Sequence, residues 1–123
     1  MRVLLAEDNA DNREMLARRL ERRGFTVDVA EDGALAVAAA NNNRPDVVLM
    51  DVSMPVMSGL EATRALRSAP GTADLKIIAL TAHAMASARE ECMAAGCDAF
   101  ATKPVDFAAL LETIEAVVGK PNT

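Results

Sequence analysis

The sequence is short of aromatic residues. None of its 123 residues is Trp or Tyr, and Phe occurs at only three positions. Flavins are held largely by stacking on aromatic side chains, so the composition does not favour a flavin-binding site. Long hydrophobic runs are missing as well: the longest, ALAVAAA at 34–40, falls far short of the about 20 residues that a membrane-spanning helix requires. We therefore expect no membrane-spanning segment.

An excess of basic charge is also absent. The net charge is −5 at neutral pH and the pI is near 4.8. Surfaces that bind nucleic acids or anionic membranes carry clustered Lys and Arg, so we expect neither kind of partner. One basic block, formed by Arg18, Arg19, Arg22 and Arg23, falls in the last turns of a predicted helix, where cations interact favourably with the helix dipole. We interpret this block as a solvated helix end.

Cysteines are few, and their spacing is uninformative about metals. Cys92 and Cys97 do not form a CxxC pair and have no cluster of His or further Cys beside them, which predicts reduced thiols. The chain starts with MRVLLAED, which turns acidic after four apolar residues and is unlike a signal peptide. These two features together predict a cytoplasmic protein.

Strand-like and helix-like segments alternate along the whole chain. Apolar runs predict five strands, at 3–6, 25–30, 47–50, 76–80 and 99–102, each followed by a segment with helical character. The helix signals are N-caps at Asp32 and Asp106, a capping box of Ser58 and Glu61, and stops at Gly24 and Gly96. Such alternation is typical of a parallel sheet with helices on both faces. We predict one domain over 1–119, with 120–123 as a tail or linker stub.

Strand composition also indicates the order of the strands. The first, third and fourth runs are apolar throughout, as expected for strands covered on both faces. The second run alternates and the fifth is short and Ala-rich, so these two are predicted at the edges. The order 2-1-3-4-5 satisfies this pattern, and it predicts a doubly wound, flavodoxin-like (βα)5 fold.

Acidic residues follow the first and third strands. Glu7 and Asp8 come directly after the first, and Asp51 ends the third, after four apolar residues. In the order 2-1-3-4-5 these strand ends flank the switch point at which such sheets bind ligands, so three carboxylates converge there. Because like charges this close repel, a cation is expected among them, and oxygen ligands open to water suit Mg²⁺, with Mn²⁺ as a substitute.

Two further polar residues follow the fourth and fifth strands. Thr81 ends the run IIALT, and Lys103 follows AFAT and precedes Pro104, a sequence compatible with a cis peptide bond. Both side chains are predicted to reach the edge at which the acids meet. A metal, a hydroxyl and an ammonium group beside Asp51 would together hold a phosphoryl group attached to that carboxylate.

With these residues the chain resembles the receiver domain of two-component response regulators. The resemblance covers essentially the whole chain and rests on the stretches VLLAEDN (3–9), DVVLMDVSMPVMSGLEATRALR (46–67), IIALTAHA (77–84) and AGCDAFATKPVD (95–106). The stretches AEDN, MDVSMPVMSG and TAHAM are similar to the corresponding stretches in receiver domains of phosphorelays and hybrid kinases. The resemblance implies a signalling phosphoacceptor rather than an enzyme.

The roles of individual residues follow from this resemblance. It implies that Asp51 accepts a phosphoryl group from a phosphohistidine and that Asp8, Asp51 and the main-chain carbonyl of Ser53 bind Mg²⁺. Glu7 would hold the metal through water, since its stem is longer than that of the Asp more common there. Thr81 and Lys103 would contact the phosphoryl oxygens.

The resemblance also implies a switch and two tuning positions. Phe100 stands where the family places an aromatic residue that changes rotamer on activation, although it lacks the hydroxyl of Tyr. Ser53 lies two residues past Asp51, and His83 lies two residues past Thr81; both would tune hydrolysis of the phosphorylated aspartate. For His83, a position facing solvent is the plainer interpretation.

The implied partners are a histidine kinase or a histidine phosphotransfer protein, and a downstream protein or output domain. A monomer is expected, with a dimer on phosphorylation as an alternative. A phosphatase of the haloacid-dehalogenase type also uses a strand-end Asp, Mg²⁺, Thr and Lys, but it needs a second Asp at the position that Ser53 occupies. An interaction module that is not phosphorylated would be expected to lack at least one of four residues, and all four are present here: Asp8, Asp51, Thr81 and Lys103.

Overall fold

A computed structural model describes residues 1–82 and 85–119. Five strands and five helices alternate along the chain. The strands are β1 (Arg2–Ala6), β2 (Thr26–Ala30), β3 (Val47–Asp51), β4 (Lys76–Thr81) and β5 (Ala99–Thr102). The helices are α1 (Ala10–Arg22), α2 (Gly33–Asn42), α3 (Gly59–Ser68), α4 (Ala86–Ala95) and α5 (Phe107–Val118).

The strands form one parallel sheet in the order β2-β1-β3-β4-β5, which confirms the predicted topology. In this register Ala6 lies beside Met50, and Asp51 lies beside Leu80. The three central strands are almost completely buried, whereas β2 and β5 are only partly so. Their composition had predicted this difference, because a strand covered on both faces has few positions for polar side chains.

Helix ends lie where the capping residues predict. The side chains of Asp32 and Asp106 accept hydrogen bonds from the main chain of the first turns of α2 and α5. Ser58 and Glu61 form the predicted capping box of α3. Helix α4 ends at Gly96, whose φ of +110° favours a residue without a side chain. Local sequence therefore determines the points where strands give way to helices, and these points carry the polar residues.

The core consists of two apolar layers, one on each face of the sheet. Helices α2, α3 and α4 cover one face, and α1 and α5 cover the other, where Leu16, Leu20, Leu110 and Ile114 are buried. The apolar pattern of the helix predicts Met15 on the same face as Leu16 and Leu20, yet Met15 is 47% exposed. Position 15 lies about 100° around the helix from position 16, so it leaves the core stripe at its border.

No helix within the described residues is long and apolar enough to cross a membrane.

Candidate functional site

The acidic residues meet where the sequence predicted, at the carboxyl edge of the sheet. One carboxylate oxygen from each of Glu7, Asp8 and Asp51 can be chosen so that all three lie within 4.8 Å of one another. The side chains of Glu7 and Asp51 are buried, whereas Asp8 is exposed. Strands β1 and β3 are neighbours, which explains why their ends bring these residues together.

Lys103 joins the two buried carboxylates. Its Nζ lies 2.9 Å from Glu7 Oε1 and 3.1 Å from Asp51 Oδ2. The loop after β5 carries this side chain inward, the Lys103–Pro104 peptide bond is cis, and the Lys103 N–H donates to the Thr81 carbonyl at 2.7 Å. A single ammonium group thus compensates two carboxylates that have little access to water.

This arrangement shifts the pKa values of all three groups. Burial, followed by the neighbouring Glu7, raises the pKa of Asp51 to about 7. Burial also acts to raise the pKa of Glu7, but hydrogen bonds with Asp51 and Lys103 outweigh it, and the pKa lies below its usual value. Burial would lower the pKa of Lys103, yet the two carboxylates raise it. The acidic pair therefore holds a proton up to nearly neutral pH, and a bound cation would favour its loss.

The main chain around Asp51 fixes the direction of its carboxylate. Asp51 Oδ1 accepts a hydrogen bond of 3.1 Å from the N–H of Ser53, two residues further on. The start of α3 packs against the same strand end, since Gly59 N–H donates to Val52 O at 3.0 Å and a Cβ at Gly59 would overlap the Asp51 carbonyl. Ser53 thus contributes to the site through its N–H, a contact that sequence reasoning missed.

Thr81 lies at the end of β4, one strand further along the same edge. Thr81 is buried, and its main-chain oxygen accepts the Lys103 N–H. In the register of β4 and β5 it lies beside Thr102. The structure therefore places Thr81 at the edge that carries the acids and links it to Lys103 through the main chain.

Phe100 lies apart from the acids, in the middle of β5. It is partly buried against the core layer beneath α4, and the guanidinium carbon of Arg89 in α4 is 5.4 Å from its ring centroid. This cation–π contact joins α4 to β5. The predicted tuning residue His83 lies outside the described residues.

A basic residue that the sequence analysis did not single out borders the site. Arg13 of α1 donates through Nη1 to the main-chain oxygens of Glu7 and Asp8, at 3.0 and 3.5 Å. The available signal was weak: Arg13 stands about one helical turn into α1, so its side chain points back toward the preceding loop.

The donor set fits a hard divalent cation. Three carboxylates within 4.8 Å offer oxygen ligands alone, and the exposed Asp8 leaves the site accessible to water. Mg²⁺ prefers such oxygen sites and keeps part of its water shell. The acidic cluster can therefore bind a metal ion.

The family model of the response regulator receiver domain matches residues 3–115. The chain belongs to this family. The match includes the five strands from Val3 onward and every residue of the site described above. It is thus a receiver domain of two-component phosphorelay signalling.

Curated relatives of this receiver domain include regulators and hybrid kinases. Response regulator MprA of Mycobacterium sp. (strain KMS) is 40% identical over 122 residues, which are 99% of this chain and 52% of that protein. Hybrid signal transduction histidine kinase I of Dictyostelium discoideum is 37% identical, over 97% of this chain and 7% of the kinase. The chain thus spans at most about half the length of these relatives.

Solved structures of receiver domains superpose closely on this one. The receiver domain of sensor histidine kinase PA1611 from Pseudomonas aeruginosa PAO1 has a TM-score of 0.89 and 36% identity, over 97% of this chain and 98% of that chain, and its active-site cleft coordinates a magnesium ion. The receiver domain of Ssk1 from Saccharomyces cerevisiae, crystallised with the histidine phosphotransfer protein Ypd1, has a TM-score of 0.88 and 28% identity, over 96% of this chain and 88% of that chain.

Proposed function

We propose that this receiver domain accepts a phosphoryl group on Asp51 in a Mg²⁺-dependent reaction. The observation that carries the proposal is the joint placement of Glu7, Asp8, Asp51 and Lys103 at one edge of the sheet, with two of the acids buried. Two buried carboxylates that share one ammonium group are unfavourable unless a further cation binds, so the geometry favours cation binding over a purely structural role.

In the reaction, the P–N bond of a phosphohistidine breaks as a P–O bond forms to a carboxylate oxygen of Asp51. The electron pair of the P–N bond returns to the imidazole nitrogen. Water later attacks the phosphorus atom, which releases phosphate and restores the Asp51 carboxylate. Such transfers depend mainly on positioning and on compensation of charge. The hydrogen bond from the Ser53 N–H supports this role because it orients the Asp51 carboxylate.

The metal site proposed here consists of Asp8, Asp51 and the main-chain carbonyl of Ser53, with Glu7 acting through water. Mg²⁺, or Mn²⁺ in its place, would supply positive charge that favours the ionised form of Asp51 and compensates the phosphoryl oxygens. Support comes from the all-oxygen donor set and from the magnesium ion in the PA1611 receiver domain. The buried position of Glu7 and its bond to Lys103 agree with an indirect role.

Thr81 and Lys103 are proposed to contact the phosphoryl oxygens. Lys103 would then exchange its contacts with the carboxylates for contacts with the new anion. As Thr81 moves toward the phosphoryl group, Phe100 fills the vacated space, and the face formed by α4, β5 and α5 changes shape. A phosphoryl group shifts this equilibrium only through contacts that differ between the two states. Ser53 and His83 remain the proposed tuning positions for hydrolysis.

The proposed donor is a histidine kinase or a histidine phosphotransfer protein, which agrees with the Ypd1 complex of the Ssk1 receiver domain. The proposed recipient of the signal is a separate protein or an attached output domain. In this scheme the domain is a signalling phosphoacceptor, not an enzyme with turnover on an external substrate. It acts in the cytoplasm, where the buried thiols Cys92 and Cys97 stay reduced. The proposed oligomeric state is a monomer, and the alternative is a dimer that forms on phosphorylation.

The decisive experiment is intact mass spectrometry after incubation with Mg²⁺ and acetyl phosphate. The wild type should gain the mass of one phosphoryl group, and the gain should disappear in Asp51→Asn or when a chelator removes the metal. Asp74→Asn, which changes an exposed acid at the opposite edge, is the matched control and should label like the wild type. Labelling of Asp51→Asn, or none in the wild type, would contradict the proposal.

A further inference from the structure

Arg13 makes contacts unlike those of the other arginines on α1. Its Nη1 donates to the main-chain oxygen of Glu7 at 3.0 Å and to that of Asp8 at 3.5 Å. Its Nη2 lies 3.7 Å from Glu31 Oε1 in the loop after β2. Its side chain is 18% exposed, compared with 65% for Arg18, which forms a surface ion pair with Glu14. Arg13 is thus packed between two loops instead of extending into solvent.

The two oxygens that Arg13 binds belong to the residues whose carboxylates meet Asp51. A peptide group is planar, so fixing the carbonyls of Glu7 and Asp8 fixes two successive peptide planes and the main-chain torsions between them. These torsions determine the direction of the Asp8 side chain. Asp8 is exposed, so core packing does not hold it in place. Its direction therefore depends on its main chain.

We propose that Arg13 is a positioning residue, which holds the loop between β1 and α1 so that the Glu7 and Asp8 carboxylates face Asp51. The proposal rests on the proposed function, because it assigns Arg13 a role in Mg²⁺ binding at the same site. With the loop held before the ion arrives, binding need not order it, and the affinity is correspondingly higher.

The planar fork of the guanidinium group distinguishes positioning from a simple effect of charge. Arg13 reaches two carbonyls and Glu31 at once, which a Lys side chain cannot reproduce, although it keeps the positive charge. If Arg13 acted only through its charge, Arg13→Lys would behave like the wild type. Positioning predicts instead that Arg13→Lys keeps only part of the affinity.

The test measures the Kd for Mg²⁺ by calorimetry on the whole chain, together with the rate of labelling by acetyl phosphate at saturating Mg²⁺. Arg13→Gln should weaken Mg²⁺ binding about tenfold, the lower end of the range for residues that orient metal ligands. Arg13→Lys should recover less than half of the loss on a logarithmic scale. Glu31→Gln, which removes the outer partner, should weaken binding about twofold. The matched control Arg18→Gln should change nothing.

A structural role alone would lower the melting midpoint without changing the Kd measured well below it, so both quantities are recorded for each variant. The saturated labelling rate should stay within about twofold of the wild type, because Arg13 touches neither Asp51 nor the phosphoryl group. A wild-type Kd in Arg13→Gln, or full recovery in Arg13→Lys, would overturn the inference while leaving the proposed function intact. Absence of both Mg²⁺ binding and labelling in the wild type would overturn both.

Discussion

The two edges of the sheet hold their acidic residues in different ways. At the amino edge, Asp46, Asp74 and Asp98 each precede a strand, and each has donors of its own. Asp46 accepts the Arg2 N–H at 2.7 Å, Asp74 pairs with Arg44 at 2.6 Å, and Asp98 pairs with Arg67 at 3.0 Å and also accepts the Ile77 N–H. These contacts tie strand starts to neighbouring segments, and each acid there has hydrogen-bond donors of its own.

At the carboxyl edge the acids outnumber the cations that contact their carboxylates. Within residues 1–82 and 85–119, Lys103 is the one cation that contacts the carboxylates of Glu7 and Asp51, and those carboxylates are buried. The comparison of the two edges indicates that charged residues at strand ends stabilise the fold where each has its own partner. Where carboxylates share a partner away from water, they store unfavourable electrostatic energy that a bound cation can release.

The largest effect in this comparison is expected for Lys103→Met. With the ammonium group gone, two buried carboxylates face each other, and the free energy of unfolding without metal should fall by about 2 to 3 kcal/mol at about pH 8. Protonation of the pair should restore part of the loss at about pH 5. Arg44→Met, at the amino edge, should lower the unfolding midpoint only slightly, because its ion pair with Asp74 is exposed. Equal losses for the two variants would break the comparison.

The next largest effect is the change in stability when an acid is replaced by its amide, and its sign should differ between the two edges. The raised pKa of Asp51 means that the folded state binds more protons than the unfolded state, so its contribution to stability falls as pH rises from about 4 to about 7. Asp51→Asn removes this loss. Without metal, its free energy of unfolding should exceed that of the wild type by about 1 to 3 kcal/mol between about pH 4.5 and 8.

The same change at the amino edge should act the other way. Arg44 lowers the pKa of Asp74, so Asp74→Asn should slightly lower the unfolding midpoint at neutral pH and have no effect at low pH. Urea titrations across the pH range test both variants. A pH-independent difference between Asp51→Asn and the wild type would show that the proposed proton is not bound by the acidic pair.

A smaller effect concerns the metal itself. Because Asp51 has a pKa of about 7, Mg²⁺ and a proton compete for the acidic pair, and the affinity should increase up to about tenfold per pH unit below that pH and level off above it. Calorimetry in buffers of different ionisation enthalpy should show the release of up to one proton per ion at about pH 6. An affinity that does not change between about pH 6 and 8 would contradict the shared proton.

Among the variants at the carboxyl edge, the smallest effect on stability is expected for its neutral member, Thr81. Thr81→Ala alters no charge and should lower the free energy of unfolding by about 1 kcal/mol, while phosphorylation continues. The response of Phe100 should be lost, so beryllofluoride should no longer shift the NMR signals of its ring. If the ring responds as in the wild type, the proposed coupling between Thr81 and Phe100 is wrong.

Much of the fold could be predicted from the sequence, because its signals are local. The apolar runs of the three central strands, the caps at Asp32, Ser58 and Asp106, and the stop at Gly96 each depend on a few neighbouring residues. The convergence of Glu7, Asp8 and Asp51 followed from strand order alone, since parallel strands end at one edge.

The contacts that sequence reasoning missed involve main-chain groups. The bonds of Arg13 run to main-chain oxygens, which every residue has, so no pattern of residue types indicates them. The N–H of Ser53 belongs to the same class. Met15 was misplaced because a helical pattern does not show where the apolar face of a helix ends, and Met15 lines an open cavity between α1 and the loop after β5.

The close approach of Gly59 to Asp51 has a mechanical consequence. Two contacts hold the loop between β3 and α3. One is the approach of Gly59 to Asp51, and the other is the hydrogen bond of 3.1 Å from Gly33 N–H to Met57 O. Neither anchor has room for a side chain. The free part of the loop is its tip, where Val56 is 83% exposed with a φ of +68°. We therefore expect a partner that contacts this loop to change the shape of its tip more easily than the position of its base or of helix α3.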